Sequence, residues 1–167
     1  MTNPILAQKT ADNDEVLILS TGVAGKIIPV GASLIDEVVA RIDYPEVPTF
    51  FDEDKGRDEE NPNHPDYLKA ISKTERKRAQ AVVDVLVMFG LELVDGMPES
   101  TDWLKRLQFL EKRKLMDLSE YDLEDTFDLE FLYKKYIAAG TEDLIAIGRK
   151  AGLNKEAVDQ AAKTFQG

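Results

Sequence analysis

Apolar and polar positions recur with different periods along this chain, and each period predicts a different element. Glu15-Val-Leu-Ile-Leu-Ser20 and Lys26-Ile-Ile-Pro-Val30 are short apolar runs on either side of Thr21-Gly-Val-Ala-Gly25. Two β-favouring runs around a glycine-bearing loop predict a hairpin. Pro29 has no amide to donate, so the second strand is expected to lie at an edge or to end there. Leu34, Ile35, Val38, Val39 and Ile42 then repeat at helical spacing. Ser33 offers an N-cap oxygen to this short helix, Asp36 and Glu37 suit its first turn, and Tyr44-Pro45 closes it. Periodicity is lost from Pro45 to Pro65, a stretch with four prolines and many acids. Val47-Pro-Thr-Phe-Phe51 can extend as a strand, Lys55-Gly56 can turn, and a polar return follows, so an irregular or hairpin-like arm is expected.

The most strongly patterned segment comes next. Leu68, Ile71, Ala79, Val82, Leu86 and Phe89 form an apolar stripe from Asp66 to about Phe89. Its first half is polar and basic and its second half nearly all apolar, so this helix is expected to enter the core at Val82. Pro65 suits its first turn and Gly90 its end. Ser100 or Thr101 can cap a helix carrying Trp103, Leu104, Leu107, Leu110 and Leu115, and acidic turns follow over 117–127. Leu129, Leu132, Tyr133, Tyr136 and Ile137 mark a further helix closed by Gly140, with two more over 141–151 and 155–165. The pattern predicts an α+β fold, mostly α-helical, in which an N-terminal β-hairpin and an extended acidic proline-rich arm pack with about five to six helices. Residues 1–14 read as a flexible lead-in. Residues 15–167 read as one domain, with hairpin, short helix and arm in 15–66 and the helical part in 67–167.

Composition narrows the class. The 167 residues are 43% hydrophobic and 32% charged, as in soluble globular proteins, and contain no cysteine for disulfides or thiolate metal sites. Residues 1–14 lack a basic start followed by an apolar run, so no secretory signal is expected. The longest apolar stretch, 82–93, is interrupted by Asp84, Gly90 and Glu92 and falls short of the roughly 20 residues a span needs. Net charge is −11. Between Pro45 and Asp66 there are eight acids and two bases, and between Met116 and Phe131 seven acids and no base. Basic residues gather at Lys73, Arg76, Lys77 and Arg78 and again at 105–114. Neither nucleic acid nor an anionic membrane is an expected partner for such a chain.

Candidate chemistry changes this picture little. The single histidine, His64, has no serine motif beside it and reads as an exposed residue at a helix start. Counting a calcium loop from Asp52 puts Arg57 where a glycine is needed and Asn63 where the closing acid belongs. Gly22-Val-Ala-Gly25-Lys26 lacks the spacing of a phosphate loop. No enzymatic activity, metal or cofactor is therefore expected. Residues 143–158 resemble a helix-turn-helix, with Gly152 at the turn. Its second helix would offer Lys155, Glu156, Asp159, Gln160 and Lys163, a poor set for base edges.

Several stretches together resemble one family. They are Leu19-Ser-Thr-Gly-Val23 with Lys26-Ile-Ile-Pro-Val30, Glu60-Asn-Pro-Asn-His-Pro-Asp-Tyr-Leu68, Met88-Phe-Gly-Leu-Glu-Leu93, and Glu142-Asp-Leu with Gly152-Leu and Ala157. This succession is similar to the tail assembly chaperones and neighbouring tail-module proteins of long-tailed bacteriophages. The resemblance implies a protein of the host cell cytoplasm that coats the tape measure protein and recruits tail tube subunits before the tail polymerises. Such chaperones are often made in a short and a frameshifted long form. A tape-measure-like partner presents long amphipathic helices, and holding one takes apolar anchors with a charged rim. The candidate partner-binding residues are Phe50, Phe51 and Tyr67 in and beside the arm, and Trp103 and Phe109 on the later helix. The alternative places Phe50, Phe51, Trp103 and Phe109 in the core, and Trp103 fits it best because tryptophan is highly buried on average. The acidic blocks would keep homo-oligomers soluble. A structural virion tail or head–tail connector component and a helix-turn-helix regulator are the competing readings.

Overall fold

Val16–Ile18 (β1) and Ala24–Ile27 (β2) form the expected hairpin in the computed structural model, which describes residues 15–150. There follow α1 (Ala32–Ala40), β3 (Thr49–Asp52), β4 (Arg57–Glu60), α2 (Pro65–Gly90) and β5 (Leu91–Leu93). Then come α3 (Asp102–Lys112), α4 (Thr126–Tyr133) with a π-helical continuation over Lys134–Ala138, and α5 (Thr141–Lys150). The fold is α+β and mostly helical. The lead-in, the second half of the helix-turn-helix-like stretch and the expected 155–165 helix lie outside the described residues.

Strand β2 stops at Ile27, two residues before Pro29, yet it is the central strand of a sheet ordered β1-β2-β5. Helix α2 runs without a linker into β5, so the Ile28 amide donates to the Gly90 carbonyl at 2.9 Å and starts the β2–β5 ladder. Leu91 and Leu93 point inward and Glu92 outward, the alternation a one-sided sheet requires. Three residues are too few for that alternation to be read from sequence, and β5 was not expected.

Helix α2 behaves as its composition predicts. Its buried residues begin at Val82 and continue through Val83, Val85, Leu86, Val87 and Gly90. Val82, Val85 and Leu86 join Leu19, Ile35, Leu91 and Ile147 in the main core. Leu107, Leu118 and Leu132 form a second cluster, and Trp103 and Ile137 pack against both. Lys134, only 3% exposed, is paired with Glu130 one turn earlier at 2.5 Å, which supplies the counter-charge its burial demands.

Three local expectations need correction. Gly31, and not Ser33, is the N-cap of α1, with no side-chain bond, so Asp36 and Glu37 lie past the first turn. α1 ends at Ala40, before Tyr44-Pro45. Leu115 lies beyond α3, which closes at Lys112 before Lys114 takes a positive φ of 59°.

The hairpin turn is tied to the start of α5 by residues 123 positions apart. Asp143 accepts from the Ser20 amide (3.0 and 3.1 Å), the Ser20 hydroxyl (2.6 Å) and the Gly140 amide (2.7 Å). The Thr21 hydroxyl donates to the Ala138 carbonyl at 2.5 Å. A Cβ on residue 140 would sit 2.5 Å from the Ser20 oxygen, so the close approach requires Gly140. Charge-assisted bonds of this kind are the stronger ones, tempered here by solvent access. Asp143→Ala is expected to lower the unfolding free energy by roughly 1–2 kcal/mol in urea titrations.

Candidate protein-binding site

The acidic stretch forms a hairpin of its own. Strands β3 and β4 pair with each other and with no other strand among the described residues. Thr49 faces Glu60, Phe50 faces Glu59, Phe51 faces Asp58 and Asp52 faces Arg57. Residues 53–56 make the turn, where Gly56 adopts φ +62° and its amide bonds the Asp52 carbonyl at 2.8 Å. At the base, the Asn61 amide donates to the Pro48 carbonyl at 2.7 Å. Arg78 of α2 holds the chain that enters the arm. Its guanidinium donates to the Ile42 carbonyl at 2.7 Å and lies 4.7 Å from the Tyr44 ring centre. His64 caps α2, its Nδ1 accepting from the Asp66 amide at 3.2 Å, and Pro65 takes the first helical position as expected.

Alternation along the strands gives the arm two unlike faces. One carries Phe50, Asp52, Arg57 and Glu59 and neutralises itself. Arg57 meets Glu59 at 2.9 Å, and Lys55 at the turn reaches Glu59 at 3.0 Å and Asp52 at 3.6 Å. The other carries Thr49, Phe51, Asp58 and Glu60. Neither Asp58 nor Glu60 has a cationic partner among the described residues, and Phe51 beside them is 61% exposed. Phe50 is 49% exposed on the neutralised face. Neither ring belongs to a core cluster.

The other candidate aromatics separate from these. Trp103 is half-buried, meets the Tyr133 ring edge-on at 5.3 Å and joins the two core clusters, so it is structural. Phe109 is exposed on α3, under the Arg113 guanidinium at 5.2 Å, in a shallow groove of about 420 Å³ with Lys105, Gln108 and Lys112. Tyr67 is half-buried in the first turn of α2. No hydrogen bond, ion pair or ring contact joins the arm to α3 among the described residues. Leu68 and Phe89, expected on the apolar stripe of α2, are instead exposed. Leu68 sits in the polar half of that helix, and this position in the sequence was the available sign.

Titration shifts in the described part move groups away from neutral pH. Burial, with Tyr136 and Asp84 nearby, pushes Tyr121 up to about 12. A hydrogen bond and charge from Lys105 lower Asp102, and bonds from Ser119 lower Asp117. No three His, Asp or Glu side chains converge on a metal-sized point among the described residues, and no described helix is long and apolar enough to cross a membrane.

No protein family, curated protein or solved structure matches this chain. Phe50→Asp combined with Phe51→Asp is expected to change the unfolding free energy by no more than about 0.5 kcal/mol and to leave the far-UV circular dichroism intact. Trp103→Ala is expected to cost roughly 2–4 kcal/mol in the same urea titration.

Proposed function

We propose that this chain is a non-enzymatic assembly chaperone of a phage tail, holding tape measure and tail tube proteins in the host cytoplasm before the tail polymerises. The observation that carries a holding role is the free-standing hairpin with an exposed Phe51 beside Asp58 and Glu60, which have no cationic partner among the described residues. An amphipathic helix whose apolar stripe is flanked by Lys or Arg complements that face. Exposed ion pairs contribute only about 0.2–1 kcal/mol each, so affinity would rest on the aromatic anchors while the acids select and steer. Modest affinity suits a partner that must be released. The identity of the partners comes from the resemblance of residues 15–165 to tail assembly chaperones.

Tagged protein recovered from phage-infected cells is expected to carry the tape measure protein, and purified mature particles are expected to lack the chain by mass spectrometry. The Phe50→Asp, Phe51→Asp variant is expected to lose the tape measure protein while remaining folded. Stoichiometric presence in mature tails would instead make it a structural component, and a salt-sensitive shift of one DNA duplex would make it a DNA reader.

A further inference from the structure

Between Tyr67 and Val83 the first part of α2 carries five bases and one acid, Glu75. Lys73 follows Lys69 by four positions, and Arg76 and Lys77 follow Lys73 by three and four, which gathers them on one side of the helix. Arg78 is engaged with Ile42 and Tyr44, but these four make no ion pair among the described residues. Leu68, 51% exposed, borders them, and together with Lys69, Ser72, Lys73 and Arg76 it lines an open groove of about 550 Å³.

This groove and the outer face of the arm have reversed patterns. Each presents one exposed apolar side chain, Leu68 or Phe51, beside charges of a single sign that have no ion-pair partner among the described residues. Among the described residues every ion pair of the arm is internal to it, so these two surfaces do not satisfy each other within one copy. Like charges gathered without partners repel one another, and an opposite surface relieves that repulsion on both sides.

We propose that these two surfaces pair between copies of this chain. The arm of one copy lies along the first half of α2 of a second, with Phe51 against Leu68 and with Asp58 and Glu60 against Lys69, Lys73 and Arg76. The occupant follows from charge: a groove of cations with no partner among the described residues, on a chain of net charge −11, takes an acidic segment, and the arm is one that every copy carries. Because the two surfaces differ, the contact is head-to-tail in kind, closing as a reciprocal exchange of arms or extending from copy to copy. The pairing uses the arm as a protein-binding surface and is independent of the phage assignment.

The test is a charge swap read by sedimentation velocity on the purified chain alone, where no phage partner is present. Lys73→Glu with Arg76→Glu reverses the groove, and Asp58→Lys with Glu60→Lys reverses the arm. All four positions are exposed, and circular dichroism checks the fold of each variant. If either pair unfolds the chain, the single substitutions Lys73→Glu and Asp58→Lys replace them. The wild-type chain is expected to associate with rising concentration, and each variant alone to stay monomeric. Their equimolar mixture is expected to regain association at least about tenfold tighter than either variant alone, since each arm then meets a groove of opposite sign. A monomeric wild-type chain, variants that associate like the wild type, or a mixture that stays monomeric would each overturn the proposal. A failed swap leaves capture of a phage partner by the arm standing, so the two readings fail separately.

Discussion

A helix of 26 residues is about 39 Å long, longer than the core of so small a protein is wide, so only part of α2 can be buried. The sequence of α2 settles which part. From Val82 onward apolar residues occur on all sides, and α1, α4, α5 and β5 pack around that end. Before Val82 most residues are polar or small, and none is fully buried. The rest of the architecture follows from this division. The buried end passes through Gly90 directly into β5, which pairs with β2 and fixes the sheet against the helix. The wet end leads back to the arm through His64 and Pro65, so the arm stands where little apolar surface is available to hold it.

The ties that close the fold lie between residues far apart in sequence. Asp143 collects donors from Ser20 and Gly140, bringing the first hairpin to the last described helix. Arg78 reaches the Ile42 carbonyl and the Tyr44 ring, fixing where the arm departs. These contacts hold the root of the arm while its strands pair, among the described residues, with each other alone. An element of that kind can present two aromatic rings to solvent without disturbing the core.

Much of this was legible from local pattern. The change of character at Val82, Pro65 at the start of α2, Gly90 at its end and the turn at Gly56 each have a physical cause within a few residues. The misses have causes of another kind. β5 has too few residues to show a period, and Gly31 caps α1 without a side-chain signal. The Asp143 clamp depends on the chain path, which spacing does not reveal. Exposure of Phe50 and Phe51 was anticipated, but the difference between their faces required the register that sets Phe51 opposite Asp58 and Phe50 opposite Glu59. Trp103 was a candidate for both surface and core, its type favouring the core, and its contact with Tyr133 places it between the two cores.

One end of α2 is the pillar of the fold, and the arm stands apart from it. Hydrogen exchange of the backbone amides, followed at dilution where copies are apart, tests it directly. Slowest exchange is expected at residues 82–90 and in β2, with fast exchange across residues 49–60 at the level of local opening. Protection of the arm amides equal to that of residues 82–90 would contradict it, because the arm would then open only when the whole chain unfolds.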